Sequence, residues 1–194
     1  MLMNKYYLLR HGKNNHQEEN PDILYCYPDN DTPCFLIEEG INQVKRSGGI
    51  LKDKNIDLIF CSDILRTRQT AKIVAEIIGF DLNKIIYDVR LRDINWGIFG
   101  GKSKKEAWDF HENNKINMFE NTPPKGENWN KCQERMKNVF NEIENNFQGK
   151  NVLIISHGDP LWLLEGYVKG LSKEDLINQR EGKGIINTGE IREL

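Results

Sequence analysis

Apolar residues recur along this chain with two different rhythms. Short runs of consecutive apolar positions at 5–9, 57–60 and 151–156 predict buried strands, and 84–87 reads as a further one. Between them the apolar positions fall every three or four residues, the spacing of a helix with one buried face. Over 38–54 that stripe is Ile41, Val44, Gly48 and Leu51. Over 63–78 it is Ile64, Ala71, Val74, Ala75 and Ile78, with Asp63 as the expected N-cap and Gly79 as the stop. The stripe from Trp129 through Cys132, Met136, Val139 or Phe140, and Ile143 to Phe147 predicts a long amphipathic helix over 128–147. Ser103 is expected to cap a helix running to about Glu120. Residues 160–169 and 173–181 also read as helices, and 184–194 as a closing strand or hairpin. Pro21, Pro28 and Pro33 make 14–37 a mixed segment with loops, Pro123 and Pro124 place a loop at 121–126, and 88–102 reads as irregular.

Strands alternating with helices predict a three-layer α/β/α sandwich around a mostly parallel central sheet, built as a single domain over 1–194. The run Val152–Ile155 is apolar throughout, as in a strand covered on both faces, so it is expected to be central. Composition narrows the class. Of 194 residues, 38% are hydrophobic and 29% charged, an ordinary globular balance. Lys and Arg total 27 against 29 Asp and Glu, so no basic excess points to nucleic acid. No apolar run approaches the roughly 20 residues of a membrane-spanning helix. The opening apolar run meets Arg10 and His11 at once, unlike a signal peptide, so a cytoplasmic setting is expected. The four cysteines show no C-x-x-C spacing and are expected to be thiols. Neither metal nor organic cofactor is expected, and a homodimer is left open.

In parallel α/β sheets, ligands bind beyond the carboxyl ends of the strands. Two of the four histidines fall there: His11 within Arg10-His11-Gly12, and His157 within Ser156-His157-Gly158. Arg66 follows a third strand. If these strand ends share one rim, two imidazoles and two guanidiniums converge. A guanidinium offers a planar fork of donors matched to phosphate oxygens. A neutral imidazole nitrogen can attack phosphorus, and a protonated one can stabilise the charge that develops. Gly12 and Gly158 let the backbone approach an anion closely. Fixed cations replace a metal in such a scheme. Gly100-Gly101-Lys102-Ser103 imitates the end of a nucleotide-binding P-loop, but Trp96 stands where that pattern needs its first glycine.

Five segments in order resemble the histidine phosphatase superfamily, the phosphoglycerate mutase-like proteins. They are LLRHG at 8–12, SDILRTRQTA at 62–71, LRD at 91–93 with WGIFGG at 96–101, GEN at 126–128 with Arg135, and VLIISHG at 152–158. The resemblance covers nearly the whole chain. It implies that His11 is the phosphorylated nucleophile, that Arg10 and Arg66 grip phosphate with His157, and that Asp93 gives a proton to the leaving group. The chain departs from the family pattern at Lys13 and Asn14 after R-H-G. It also departs at Gln17, where Asn is frequent, at Asp93 in place of Glu, and at Asn128 in place of Ser. Gln17, Glu127 and Lys13 are candidate pocket residues. Glu127 either lines the pocket or caps the following helix, and Lys13 either adds a cation beside the phosphate or points to solvent. Asp93 either donates a proton or caps a turn.

The resemblance implies a cofactor-independent phosphatase acting on a small-molecule phosphomonoester. A phosphoglycerate mutase using the same centre and a non-catalytic phosphate- or phosphoprotein-binding domain are the alternatives. The mutase reading is weakened by the absence of the adjacent arginine pair that the family's mutases carry. Tyr25, Tyr27 and the 103–120 segment are expected to roof the pocket. His16 and His111, without motif context, are expected at the surface.

Overall fold

A five-stranded sheet runs through the protein in the order β3-β2-β4-β1-β5. The strands are β1 (Lys5–Arg10), β2 (Leu58–Cys61), β3 (Ile86–Tyr87), β4 (Asn151–Ser156) and β5 (Ile191–Glu193). The first four in that order are mutually parallel, and β5 joins β1 antiparallel at the edge. This is a computed structural model, and it describes residues 2–26, 33–182 and 184–194; Tyr27 lies outside them.

The helices are α1 (Asn15–Glu19), α2 (Glu38–Leu51), α3 (Leu65–Ile78), α4 (Lys104–Phe110), α5 (Asn117–Glu120), α6 (Trp129–Asn146), α7 (Gly158–Val168) and α8 (Lys173–Glu181). Side-chain alternation along the strands explains the layers. Tyr6, Leu8, Val152 and Ile154 point to one face, where they pack with Met136, Val139 and Ile143 of α6 and Leu161 and Leu164 of α7. Tyr7, Leu9, Leu153 and Ile155 point to the other, against Val44 and Leu51 of α2 and Ala71 and Val74 of α3. The result is the expected mixed α/β fold with helices around a mostly parallel sheet. A third cluster, including Met118, Phe119, Trp129, Trp162 and Leu176, ties α5 and α8 to α6 and α7. No helix among the described residues is long and apolar enough to cross a membrane.

The two central strands, β1 and β4, pair in register from Lys5 with Asn151 to Arg10 with Ser156. The ladder continues one residue further, because His11 N–H donates to the Ser156 carbonyl at 3.1 Å. Both histidines therefore leave the sheet at the same level.

Local differences from the sequence expectations have physical causes. Asp63 does not cap α3. Its carboxylate takes Nε–H and Nη2–H of Arg92, and the helix starts after an extended Ile64. The 103–120 helix is two short helices, because Glu112 and Asn113 turn left-handed, a conformation Asn tolerates. His111 is buried at that break rather than at the surface. The closing segment contributes only the three residues of β5 to the sheet.

Candidate active site

The carboxyl ends of β1, β2 and β4 open into one cavity of about 400 Å³. Arg10 and His11 enter it from β1, Arg66 from the first turn of α3, Asp93 from the loop after β3, and Gly158 and Asp159 from the start of α7. The amino ends of α3 and α7 thus meet at the cavity, which favours an anion there.

His11 is buried and its two ring nitrogens are distinguished by their partners. Nδ1 lies 2.8 Å from the Gly12 carbonyl, an acceptor, so Nδ1 carries the proton. Nε2 then presents a lone pair, which accepts from Arg66 Nε at 3.2 Å. Burial, followed by the charges of Arg66 and Arg10, holds this imidazole well below its usual pKa, so it is neutral near pH 7.

Arg66 is the hub of the site and is itself buried. Its Nη2 donates to Asp93 Oδ2 and to His157 Nδ1, both at 3.0 Å. His157 Nε2 in turn donates to Ser62 Oγ at 3.0 Å. Burial and the neighbouring guanidiniums hold His157 neutral as well. The two imidazoles sit edge to face with centroids 5.1 Å apart. Arg10 threads past Gly158, where an added Cβ would come within 3.1 Å of its Cζ, and donates to the Ile186 carbonyl. Arg10 Nε and Arg66 Nη1 are buried with no partner among the described residues. Unpartnered buried N–H groups are costly, and both belong to guanidiniums whose charges act on the His11 imidazole.

Asp93 Oδ1 accepts the Ile94 N–H at 3.0 Å and Oδ2 faces the hub, 3.6 Å from His157 Nδ1. Burial raises its carboxyl pKa and the nearby Asp159 reinforces that, against the opposing pull of Arg66. Its segment is clamped from behind. Arg135 donates to the carbonyls of Arg90, Arg92 and Asp93 at 2.6, 2.7 and 3.0 Å, and is held by Glu127 at 2.6 Å.

The remaining candidates divide. Gln17 lines the cavity, but its Oε1 is engaged by Asn14 in the capping box of α1. Lys13 turns away to Glu39 and Glu18 and does not line the cavity. Glu127 lies in the clamp behind Asp93, outside the main cavity. Gly12 does not face the cavity either: a Cβ there would meet the Gly40 carbonyl oxygen at 2.3 Å, so the residue lets α2 close on the loop after β1. Tyr25 lies over the Arg66 guanidinium, 4.3 Å from ring centroid to Cζ. His16, expected at the surface, lines the cavity and contacts the Ile23 carbonyl at 3.0 Å.

Sequence reasoning missed Asn14, Asp159 and Arg180 as lining residues. Arg180 pairs with Asp159 at 2.6 Å and lies over Trp129 and Trp162. Adjacency to His157-Gly158 was a signal for Asp159; Arg180, remote on α8, carried none. Among the described residues no three His, Cys, Asp or Glu side chains converge as metal ligands.

Two neutral imidazoles, His11 and His157, thus meet the guanidiniums of Arg10 and Arg66 at the strand ends. The model described as the histidine phosphatase superfamily, branch 1, matches residues 6–186, and the chain belongs to that family. A protein of Photorhabdus laumondii named "Probable phosphoglycerate mutase GpmB" is 30% identical over 173 residues, covering 87% of this chain and 76% of that protein. The alpha-ribazole phosphatase structure from Shigella flexneri superposes with a TM-score of 0.76 at 21% identity, covering 97% of this chain and 89% of that one. A mycobacterial glucosyl-3-phosphoglycerate phosphatase gives 0.77 at 19% identity, covering 98% and 89%. Both structures are similar in fold.

Proposed function

We propose that the protein is a cofactor-independent phosphomonoester phosphatase working through a phosphohistidine on His11. The observation that carries this reading is the Nε2 lone pair of His11, held by Arg66 Nε–H, together with two buried, unpartnered guanidinium N–H groups on Arg10 and Arg66.

The phosphoryl oxygens take Arg10 Nε–H and Arg66 Nη1–H. Arg66 Nε–H turns from His11 to the phosphate and frees the nucleophile. Nε2 forms the N–P bond as the ester P–O bond breaks, and the Gly12 carbonyl stabilises the charge through Nδ1–H. Asp93, whose carboxyl pKa is raised by burial and is pushed further up by the phosphate dianion, gives its proton to the departing alcohol oxygen. His157 Nδ1 accepts from Arg66 Nη2–H. The dianion favours protonation at Nδ1, which then donates to a phosphoryl oxygen. Water next attacks phosphorus, the Asp93 carboxylate takes its proton, and the N–P bond breaks with its electron pair returning to Nε2.

Phosphoenzyme trapping tests the assignment. The wild type should form an acid-labile phosphoenzyme, and His11→Ala should form none while keeping its fold. Equal labelling of both proteins would refute the nucleophile.

A second reading, a phosphoglycerate mutase, is favoured by the name of the Photorhabdus relative. Interconversion of 3- and 2-phosphoglycerate with 2,3-bisphosphoglycerate, at a rate matching the best phosphatase substrate, would select it. The absent adjacent arginine pair argues for hydrolysis.

A further inference from the structure

Beside the catalytic cavity lies a second one of about 280 Å³, walled by Trp96, Trp108, Ala107 and Met118. The two cavities share Leu24, Trp96, Lys104 and Arg180 in their linings, so they adjoin across these four side chains. His111, at the end of α4, also lines the smaller cavity and is only 2% exposed. Its Nδ1 has no hydrogen-bond partner among the described residues. Lys104, Lys115 and Arg180 line it as well, and a mostly apolar cavity with a few convergent polar groups is the usual design of a small-molecule site.

We infer that this second cavity is a leaving-group subsite for a phosphomonoester whose alcohol part carries a flat apolar ring bearing a hydroxyl. The inference rests on the phosphatase reading for its placement of the phosphate at His11. The indoles of Trp96 and Trp108 supply flat apolar surface, and ring burial there replaces water. A hydroxyl both donates and accepts, so it satisfies His111 Nδ1 in either tautomer. A purely apolar ring leaves that nitrogen stranded, and a short alkyl alcohol leaves the cavity to water.

Binding of non-hydrolysable phosphonates tests the subsite without turnover. The probes are alkylphosphonates, their phenyl-terminated counterparts and the 4-hydroxyphenyl counterparts, each with linkers of one to four methylenes. For the best linker, calorimetry on the wild type should give the phenyl compound a Kd about tenfold or more below its alkyl match. The hydroxyl should add about fivefold. Trp108→Ala should erase most of the phenyl gain, and His111→Phe should erase the hydroxyl gain. Equal Kd values across the three wild-type series would overturn the inference whatever the variants do. A phenyl gain without a hydroxyl gain would overturn the role of His111 and leave water as its partner. If the gains appear but no phosphomonoester is hydrolysed, the phosphatase reading fails and the subsite stands.

Discussion

Asp93→Asn separates proton donation from every other role of this side chain. Asn is isosteric and keeps an acceptor for the Ile94 N–H, so the loop that the Arg135 clamp holds should stay in place. What is lost is the proton and, in the ionised state, the negative charge 3.0 Å from Arg66 Nη2. General acid catalysis contributes about 10²–10⁴-fold where the leaving group needs a proton. An alkyl alcohol has that need, and p-nitrophenolate leaves unaided. For an alkyl phosphate the phosphorylation step should therefore slow by about 10³-fold, or about 4 kcal/mol of barrier. For p-nitrophenyl phosphate it should slow by less than about tenfold. Binding should not weaken, because removing a carboxylate beside Arg66 makes the site more attractive to a dianion. Rapid-quench single turnover is the required assay, since in the proposed cycle the same carboxylate serves as base in the second step, and its loss would slow both substrates at steady state. Equal slowing of both classes in single turnover would refute the proton-donor role and leave Asp93 as a prop for Arg66.

Two further outcomes follow from the same geometry. Arg135→Lys offers three N–H donors to four acceptors, the carbonyls of Arg90, Arg92 and Asp93 and the Glu127 carboxylate, so at least one goes unmet. It should cost about 2–4 kcal/mol in denaturant unfolding and lower kcat more than it raises KM; unchanged kcat would show that the clamp does not position Asp93. Stability should also fall on acidification. His11 and His157 are held neutral in the native state, while the unfolded chain protonates both below about pH 6.5. The unfolded state then binds more protons, so stability drops as pH falls below that value, by up to about 1.4 kcal/mol per pH unit for each imidazole. His111 acts in the same sense, and the raised carboxyl of Asp93 opposes it at lower pH. Denaturant midpoints at pH 7 and pH 5 measure this, and equal midpoints would contradict the neutral assignment.

The layered fold was legible because strand and helix periodicities are local, and the run at 151–156 announces a strand covered on both sides. The strand-end positions of His11, Arg66 and His157 followed from the same pattern. Other features depended on partners distant in sequence. Asp63 looks like a cap by spacing, yet Arg92, 29 residues on, takes its carboxylate. Glu127 reads as a helix-start acid, and its work is to hold Arg135. Gly12 reads as an anion-facing glycine until α2 is seen against it. His111 lacked any motif, and only the left-handed turn at Glu112 and Asn113 explains its burial.

The in-register pairing of β1 with β4 has a consequence for how this centre can be inherited or moved. Each histidine is the first residue past a matched pair, so their 5.1 Å separation echoes the inter-strand spacing of about 4.8 Å. Arg66, at the start of α3, then bonds both rings and fixes how they face each other. Loops and roof helices can be exchanged or lengthened while the histidine pair keeps its gauge. A single inserted residue before either histidine has the opposite effect, shifting that ring by about 3.3 Å and turning it to the other face of the sheet. Grafting the pair onto another parallel sheet then takes two tripeptides at equal register and a helix start that sets an arginine between them, as Arg66 is set here, with the roof left free to vary.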